Sequence, residues 1–125
     1  MNVKIGNQFL RRIEKSLMVH LLLHETKDRV NSSTIQFEHK GRVIIEKEFV
    51  SKQSIRVEYL LDENKNYKFN IFVEGKKMTG GQCHEIIFNS GYTKASSFLE
   101  DIIRKSKDEG VYIGTLIHWT TLKYI

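Results

Sequence analysis

Proline is absent from this 125-residue chain, cysteine occurs once, and no apolar run is long. The single Cys83 excludes an internal disulfide framework and is typical of proteins in a reducing compartment. The longest apolar run, LMVHLLL, is interrupted by a histidine and falls far short of the roughly 20 residues that a membrane-spanning helix needs. The N-terminal MNVKIGNQFLRRIEK has no apolar stretch like that of a secretory signal. We therefore expect a cytoplasmic protein with no membrane partner.

The chain is basic, with 20 Lys and Arg against 15 Asp and Glu and a formal net charge of +5. Its length and its 40% hydrophobic and 28% charged content predict one soluble globular domain over residues 1–125. Excess positive charge favours a polyanionic partner such as nucleic acid, although a mildly basic surface is also ordinary for soluble proteins. The lack of Pro and the frequent Lys, Ile and Asn are common in proteins of AT-rich genomes, including phages and plasmids.

The spacing of apolar residues predicts a helix over about residues 5–30 as the first element. Its apolar residues recur at three- and four-residue spacing, which is the period of a helix face. They are Phe9, Leu10, Ile13, Leu17 and Leu21. Over residues 17–25 the pattern also fits a strand, and we retain the helix there.

From Thr34 onward the apolar period changes to two, which predicts strands. TIQFEH and RVIIEKEF flank a Lys-Gly turn, SIRVEYLL and YKFNIFVEG flank the polar DENKN, and HEIIFN follows two glycines as a fifth strand. A helix then starts at a Ser97–Glu100 capping box, and the chain ends in the strand-like VYIGTLIHWTTLKYI. The predicted class is α+β: an antiparallel meander of about five to six strands with an N-terminal and a C-terminal helix packed on it.

The stretch GKKMTGGQCHE contains the residue types of several active sites. It is not a phosphate-binding P-loop, because Gly81 and Gln82 stand where that motif requires Lys and Ser or Thr. On a strand, Cys83 and His84 point to opposite faces, so the histidine cannot activate the thiol. The remaining interpretation is a hairpin connection with Lys76 and Lys77 at its tip.

Two groups of residues could bind a metal ion. His20 and His24 are four apart, as in zinc-binding helices, but no third ligand is assigned and Leu21 stands where a metalloprotease has its catalytic Glu. Glu46 and Glu48 share one face of a strand, as nuclease carboxylates do. Exposed strand residues and core histidines are the more common explanations. We predict no cofactor and keep His20 and His24 as weak metal candidates.

Basic and aromatic residues supply the binding candidates. Phe72 lies on the polar side of its strand, in phase with Lys68, where an aromatic ring can serve a stacking contact or an interface. Arg11, Arg12 and Lys15 form a basic patch on the first helix. The candidate binding residues are Arg11, Arg12, Lys15, Arg42, Arg56, Lys68, Phe72, Lys76 and Lys77.

Three functions remain open from the sequence. The favoured one is a small non-enzymatic protein that acts on nucleic acid or on a nucleic-acid-handling protein complex, as a phage or plasmid accessory or inhibitor protein does. The second is a metal-dependent nuclease or hydrolase that uses His20, His24 and a carboxylate. The third is an oligomeric interaction domain, such as a homodimer, with Phe72 and the C-terminal strand at the subunit contact.

Overall fold

The chain forms two β-sheets and a layer of helices. The computed structural model describes residues 2–6, 9–11, 20–24, 34–48, 51–120, 122 and 124–125, with only the backbone at 2–3, 20–24 and 44. The strands are β1 (Asn2–Lys4), β2 (His20–His24), β3 (Thr34–His39), β4 (Arg42–Glu48), β5 (Ser51–Leu61), β6 (Tyr67–Val73), β7 (Lys76–Lys77) and β8 (Val111–His118). The helices are α1 (Gly80–Asn89) and α2 (Ala95–Lys105), and residues 9–11 are also helical.

The larger sheet contains five strands in the order β2-β8-β5-β6-β7, and all its pairs are antiparallel. The smaller sheet has the order β1-β3-β4, with β1 parallel to β3. The α+β class is confirmed, but the predicted single meander is wrong. Strands β5, β6 and β7 do follow one another as a meander, whereas β8 returns from the end of the chain and lies between β2 and β5. Alternation predicts the buried face of a strand and not its neighbours, so the sequence could not locate β8.

The segment HEIIFN lies in α1, so the predicted fifth strand is wrong. Thr79 begins this helix with a capping box: its Oγ1 accepts the Gln82 N–H at 3.2 Å, and Gln82 Oε1 accepts the Thr79 N–H at 2.9 Å. Ile86 and Ile87 are then buried on one side of the helix. The apolar residues of HEIIFN taken alone fit a strand or a helix, and here the cap and the packing favour the helix.

The predicted N-terminal helix is wrong at His20–His24, which form β2. Residues 9–11 are helical as expected, whereas residues 12–19 and 25–33 lie outside the described residues. Strand β2 pairs with β8 over its whole length, from His20 opposite His118 to His24 opposite Gly114. The sequence pattern was equally compatible with a strand, and pairing with β8 supplies the backbone hydrogen bonds that decide it.

Helix α2 begins two residues before the predicted cap. Its N-cap is Lys94, which makes no side-chain capping hydrogen bond, and Ser97 lies inside the first turn. The predicted Ser97–Glu100 capping box is therefore wrong. The apolar stripe is confirmed, because Phe98, Leu99 and Ile102 are all buried.

Both helices contribute to the core that covers one face of the larger sheet, which we call the inner face. Odd-numbered residues of β5 and β6 and even-numbered residues of β8 contribute to it, among them Val57, Ile71 and Tyr112, each 0% exposed. The ring of Phe98 from α2 meets Tyr92 edge to face at 5.6 Å between centroids. No helix in the described part of the chain is both long and apolar enough to cross a membrane.

Candidate functional site

The opposite side of the larger sheet, the outer face, carries the chemically notable side chains. It consists of the even-numbered residues of β5 from 52 to 60, residues 68, 70 and 72 of β6, Lys77 of β7 and the odd-numbered residues of β8. The outer face is covered where β8 ends, since Ile117 is 0% exposed. Ile113, four residues earlier on the same strand, is 42% exposed. The outer face is therefore open at the end that holds Arg56 and Phe72.

A single row of residues crosses four strands of the open part. Register places Ile113 of β8 opposite Arg56 of β5, Arg56 opposite Phe72 of β6, and Phe72 opposite Lys77 of β7. Three steps between neighbouring strands, each about 4.8 Å, make the row about 14 Å long. We call these four residues the cross-strand row. The row combines an apolar, an aromatic and two basic side chains.

Arg56 is the central residue of the cross-strand row. Its Cζ lies 4.3 Å from the centroid of the Phe72 ring, in cation–π geometry. Its Nε lies 3.2 Å from Glu58 Oε1, an ion pair that does not have hydrogen-bond geometry. Within the described part of the chain, the Arg56 side chain makes no hydrogen bond. The guanidinium is thus held in place with its Nε buried, while the side chain remains 42% exposed and its terminal N–H groups make no hydrogen bond to a described residue.

A shallow groove of about 190 Å³ opens beside Arg56. Its lining combines the apolar Ile113 and Phe72 with the polar Ser54 and Arg56, and Ile55 and Gly75 complete it. The volume lies below the roughly 300–1,000 Å³ of pockets that hold drug-sized ligands. The groove can take one small ring or a side chain, which suits a contact surface better than the active site of a small-molecule enzyme.

The strand residues of the outer face carry a net positive charge, and the Glu74 carboxylate lies next to the groove, where its Oε1 accepts the Ser54 N–H at 2.8 Å. Four cations lie on the strands of this face, and Glu58 is the one acid among these outer-face strand residues. The cations are Lys52, Arg56, Lys68 and Lys77. Lys68 lies about 13 Å from Phe72 along β6, at about 3.3 Å per residue. A polyanion that runs over this face would meet positive charge on both sides of the Phe72 ring.

The structure brings some of the predicted binding residues together and separates others. Arg56, Phe72, Lys68 and Lys77 share the outer face. Lys76 is exposed but lies opposite Val73, whose side chain belongs to the inner face. Two predicted residues lie away from the outer face: Arg42 is exposed at the start of β4 in the smaller sheet, and Arg11 is exposed next to residues 9–10. Arg12 and Lys15 lie outside the described residues.

The glycine-rich stretch around Lys76 differs from its predicted form. The hairpin turn is formed by Glu74 and Gly75, with φ of 51° and 77°, as a two-residue turn between antiparallel strands requires. Lys76 and Lys77 follow the turn as the edge strand β7, and they are not at its tip. A short lysine-rich strand protects the sheet edge against unwanted pairing, which is the structural explanation for these two residues.

Cys83 has no features of a nucleophile. It lies on α1, half-buried, beside the exposed His84, and burial raises the pKa of its thiol. A higher pKa reduces the thiolate that nucleophilic attack requires. The predicted strand at Cys83 and His84 is wrong, since both residues are helical. A Cys83–His84 dyad is still excluded, because adjacent residues of a helix do not face each other.

The two groups of metal candidates lie on strands of different sheets. The backbone of β2 places His20 opposite His118 and His24 opposite Gly114. Glu46 and Glu48 are exposed on β4 of the other sheet. Among the described residues, no group of three or more His, Cys, Asp or Glu side chains is arranged to hold a metal ion.

One buried polar cluster was missed by the sequence reasoning. Gln53 Nε2 donates to the Tyr124 carbonyl at 2.6 Å, and Gln53 Oε1 accepts from the Tyr124 N–H at 2.9 Å and from His118 Nε2 at 3.0 Å. All three residues are buried, and their hydrogen bonds attach Tyr124 to β5. No local pattern indicates it, because its members are up to 71 positions apart.

Fold and site together define a small α+β protein with one packed and one open face on a five-stranded antiparallel sheet. No known protein family, curated protein or solved structure matches the chain. The functional conclusion therefore depends on the chemistry of the outer face.

Proposed function

We propose that the protein is a small non-enzymatic binding protein that contacts nucleic acid through its outer face. The observation that carries the proposal is the arrangement of Arg56 over Phe72, in a row with Lys77. An aromatic ring and a guanidinium on an exposed sheet face provide stacking surfaces for bases, and the surrounding lysines provide charge for phosphates. In this function the protein acts as an accessory or regulatory factor, of the kind that phages and plasmids direct at nucleic-acid machinery.

Electrostatics supports this assignment. Neutralising phosphates with Lys and Arg releases counterions, which gives affinity without any requirement for a deep pocket. The outer face offers four cations against one strand-borne acid, and Arg56 is already oriented by Phe72 and Glu58. An oriented side chain loses little further conformational entropy when it binds a phosphate or a base.

The test is the salt dependence of binding to labelled single-stranded and duplex oligonucleotides, measured by fluorescence anisotropy. The double variant Lys68→Gln/Lys77→Gln should bind more weakly and lower the magnitude of the log–log salt slope by about 1.4, since each single-strand phosphate that is no longer neutralised lowers it by about 0.7. The matched control is Lys94→Gln/Lys107→Gln, which removes the same charge from exposed positions next to α2.

Equal loss of oligonucleotide affinity in the two double variants would contradict the proposal, because the loss would then depend only on the net charge of the protein and not on the outer face. Absence of binding to both oligonucleotides at low salt would overturn direct recognition of nucleic acid. The remaining partner for the outer face would then be a protein of a nucleic-acid-handling complex.

A subunit contact is the second candidate function for the same face. Leu60, Val111 and Ile113 are 62%, 37% and 42% exposed and lie on the same outer face as Phe72. Aromatic and aliphatic side chains of this kind are enriched at interfaces between protomers. Sedimentation decides: a mass that rises with concentration and falls to the monomer in Ile113→Asp favours the subunit contact.

A further inference from the structure

We propose that the groove beside Arg56 holds one unpaired base, and that the outer face therefore prefers single-stranded nucleic acid, with a pyrimidine favoured over a purine. This inference rests on the proposed function and names the substrate class of the same site.

The size of the groove supports a single ring. Its volume is about 190 Å³. A protein cavity of about 150 Å³ holds a benzene molecule, so one six-membered ring fits while a fused two-ring purine fits less well. In a duplex, each base is stacked between its neighbours and hydrogen-bonded to its partner, so it cannot enter a groove without being unpaired.

The walls of the groove suit a flat base. Ile113 supplies an apolar wall and is 42% exposed, so its surface is available for contact. The Arg56 Cζ lies 4.3 Å from the Phe72 ring centroid and the side chain is 42% exposed, so a base that enters the groove can contact the guanidinium. Arg56 therefore extends the aromatic surface of Phe72 toward β8.

Polar groups at the groove can distinguish a base from a simple apolar ring. Pyrimidine carbonyl oxygens are hydrogen-bond acceptors, and the Arg56 donors make no hydrogen bond within the described residues. The Glu58 carboxylate, whose Oε1 lies 3.2 Å from the buried Arg56 Nε, repels an electronegative base oxygen that approaches the terminal N–H groups of Arg56. Removing that charge with Glu58→Gln should strengthen binding, since Phe72 still orients the guanidinium.

The experiment compares oligothymidylate, oligodeoxyadenylate of equal length and the duplex that the two form, at one salt concentration. The full chain should bind oligothymidylate about 10-fold more tightly than either of the others, which corresponds to the stacking of one base. Arg56→Lys retains the positive charge but not the planar stacking group. It should abolish the preference for oligothymidylate and leave the salt slope unchanged.

Ile113→Ala tests the apolar wall, and Val43→Ala is its control because Val43 is 50% exposed on the smaller sheet. Ile113→Ala should reduce oligothymidylate affinity several-fold and Val43→Ala should not. Equal affinity for the duplex and the single strands, or a preference that persists in Arg56→Lys, overturns this inference while the proposed function stands.

Absence of binding to all three probes overturns both the inference and the proposed function. Tighter binding of poly-L-glutamate than of oligothymidylate also overturns both, because the outer face would then recognise acidic protein instead of nucleic acid.

Discussion

The two faces of the larger sheet are built from the same strands but differ in burial around the cross-strand row. On β6, Ile71 lies on the inner face and is 0% exposed, while its neighbour Phe72 lies on the outer face with Arg56 over its ring. On β8, Tyr112 is fully buried, and Ile113 is 42% exposed. Alternation along a strand separates the residues that hold the fold together from those that are free to make contacts.

This division indicates how function can vary without loss of the fold. Inner-face residues are constrained by close packing, in which even one methylene group matters. Exposed outer-face residues such as Ile113 have fewer packing partners, so we expect their substitution to change stability less. The clearest test is to substitute matched residues on the two faces and compare the free energy of unfolding.

The largest effect is expected from Ile71→Ala on the inner face, with Ile113→Ala as its outer-face match. Truncating the buried side chain should lower the free energy of unfolding by about 3 kcal/mol, because it loses burial and leaves a cavity. The outer-face substitution should cost about 1 kcal/mol or less. Urea titration measures both. A similar loss in the two variants would show that the outer face is part of the core.

An intermediate effect is expected from alkaline pH, through the tyrosines on the helical side. Burial raises the pKa of Tyr124 from 10.0 to about 12. The folded state therefore holds the phenolic proton more tightly than the unfolded state, and this contribution to stability is complete below pH 10. It is lost as pH rises through about 12, by at most about 1.4 kcal/mol per pH unit.

Urea titrations across this pH range check the prediction. In Tyr124→Phe the decline should be shallower, since one of the ionising groups is gone. An unchanged pH profile in this variant would show that Tyr124 does not contribute to the loss.

The smallest effect on stability is expected from Arg56→Gln on the outer face. Its side chain is 42% exposed, its ion pair with Glu58 is solvent-screened, and its contact with Phe72 is near the surface. Removing both interactions should cost about 1 kcal/mol or less. Thermal unfolding measures it, alongside the anisotropy assay. A destabilisation as large as that of Ile71→Ala would mean that Arg56 stabilises the fold, and its available donors would then need another explanation.

The sequence predicted part of the fold well, and the errors have physical causes. The Lys40-Gly41 turn is correct, because its φ of 52° and 79° fit a two-residue hairpin turn and glycine readily takes the second. The HEIIFN helix was missed although two signals were present. Thr79 and Gln82 have capping-box spacing, and Cys83, Ile86 and Ile87 recur at helical intervals.

The sequence analysis identified Arg56, Phe72 and Lys77 as candidate binding residues, but it did not predict how they are arranged. The phase of Phe72 correctly identified an aromatic residue on the outward side of its strand. That Arg56 would lie over the ring, with Ile113 and Lys77 to either side, depends on the register of three strand pairs. Register is set by turns and by packing across the whole sheet, so residues 16 to 41 positions from Phe72 could not be placed against it from local pattern.

By itself the sequence determined the α+β class, the buried faces of β5 and β6, the excess of positive charge and the lack of a disulfide framework. These follow from composition and local periodicity, which act over a few residues. Tertiary structure alone decided the rest: that residues 20–24 pair with β8 as a strand, that β8 enters the sheet between β2 and β5, and that four separate strands align the cross-strand row. Such choices depend on hydrogen-bond partners and packing surfaces supplied by distant parts of the chain.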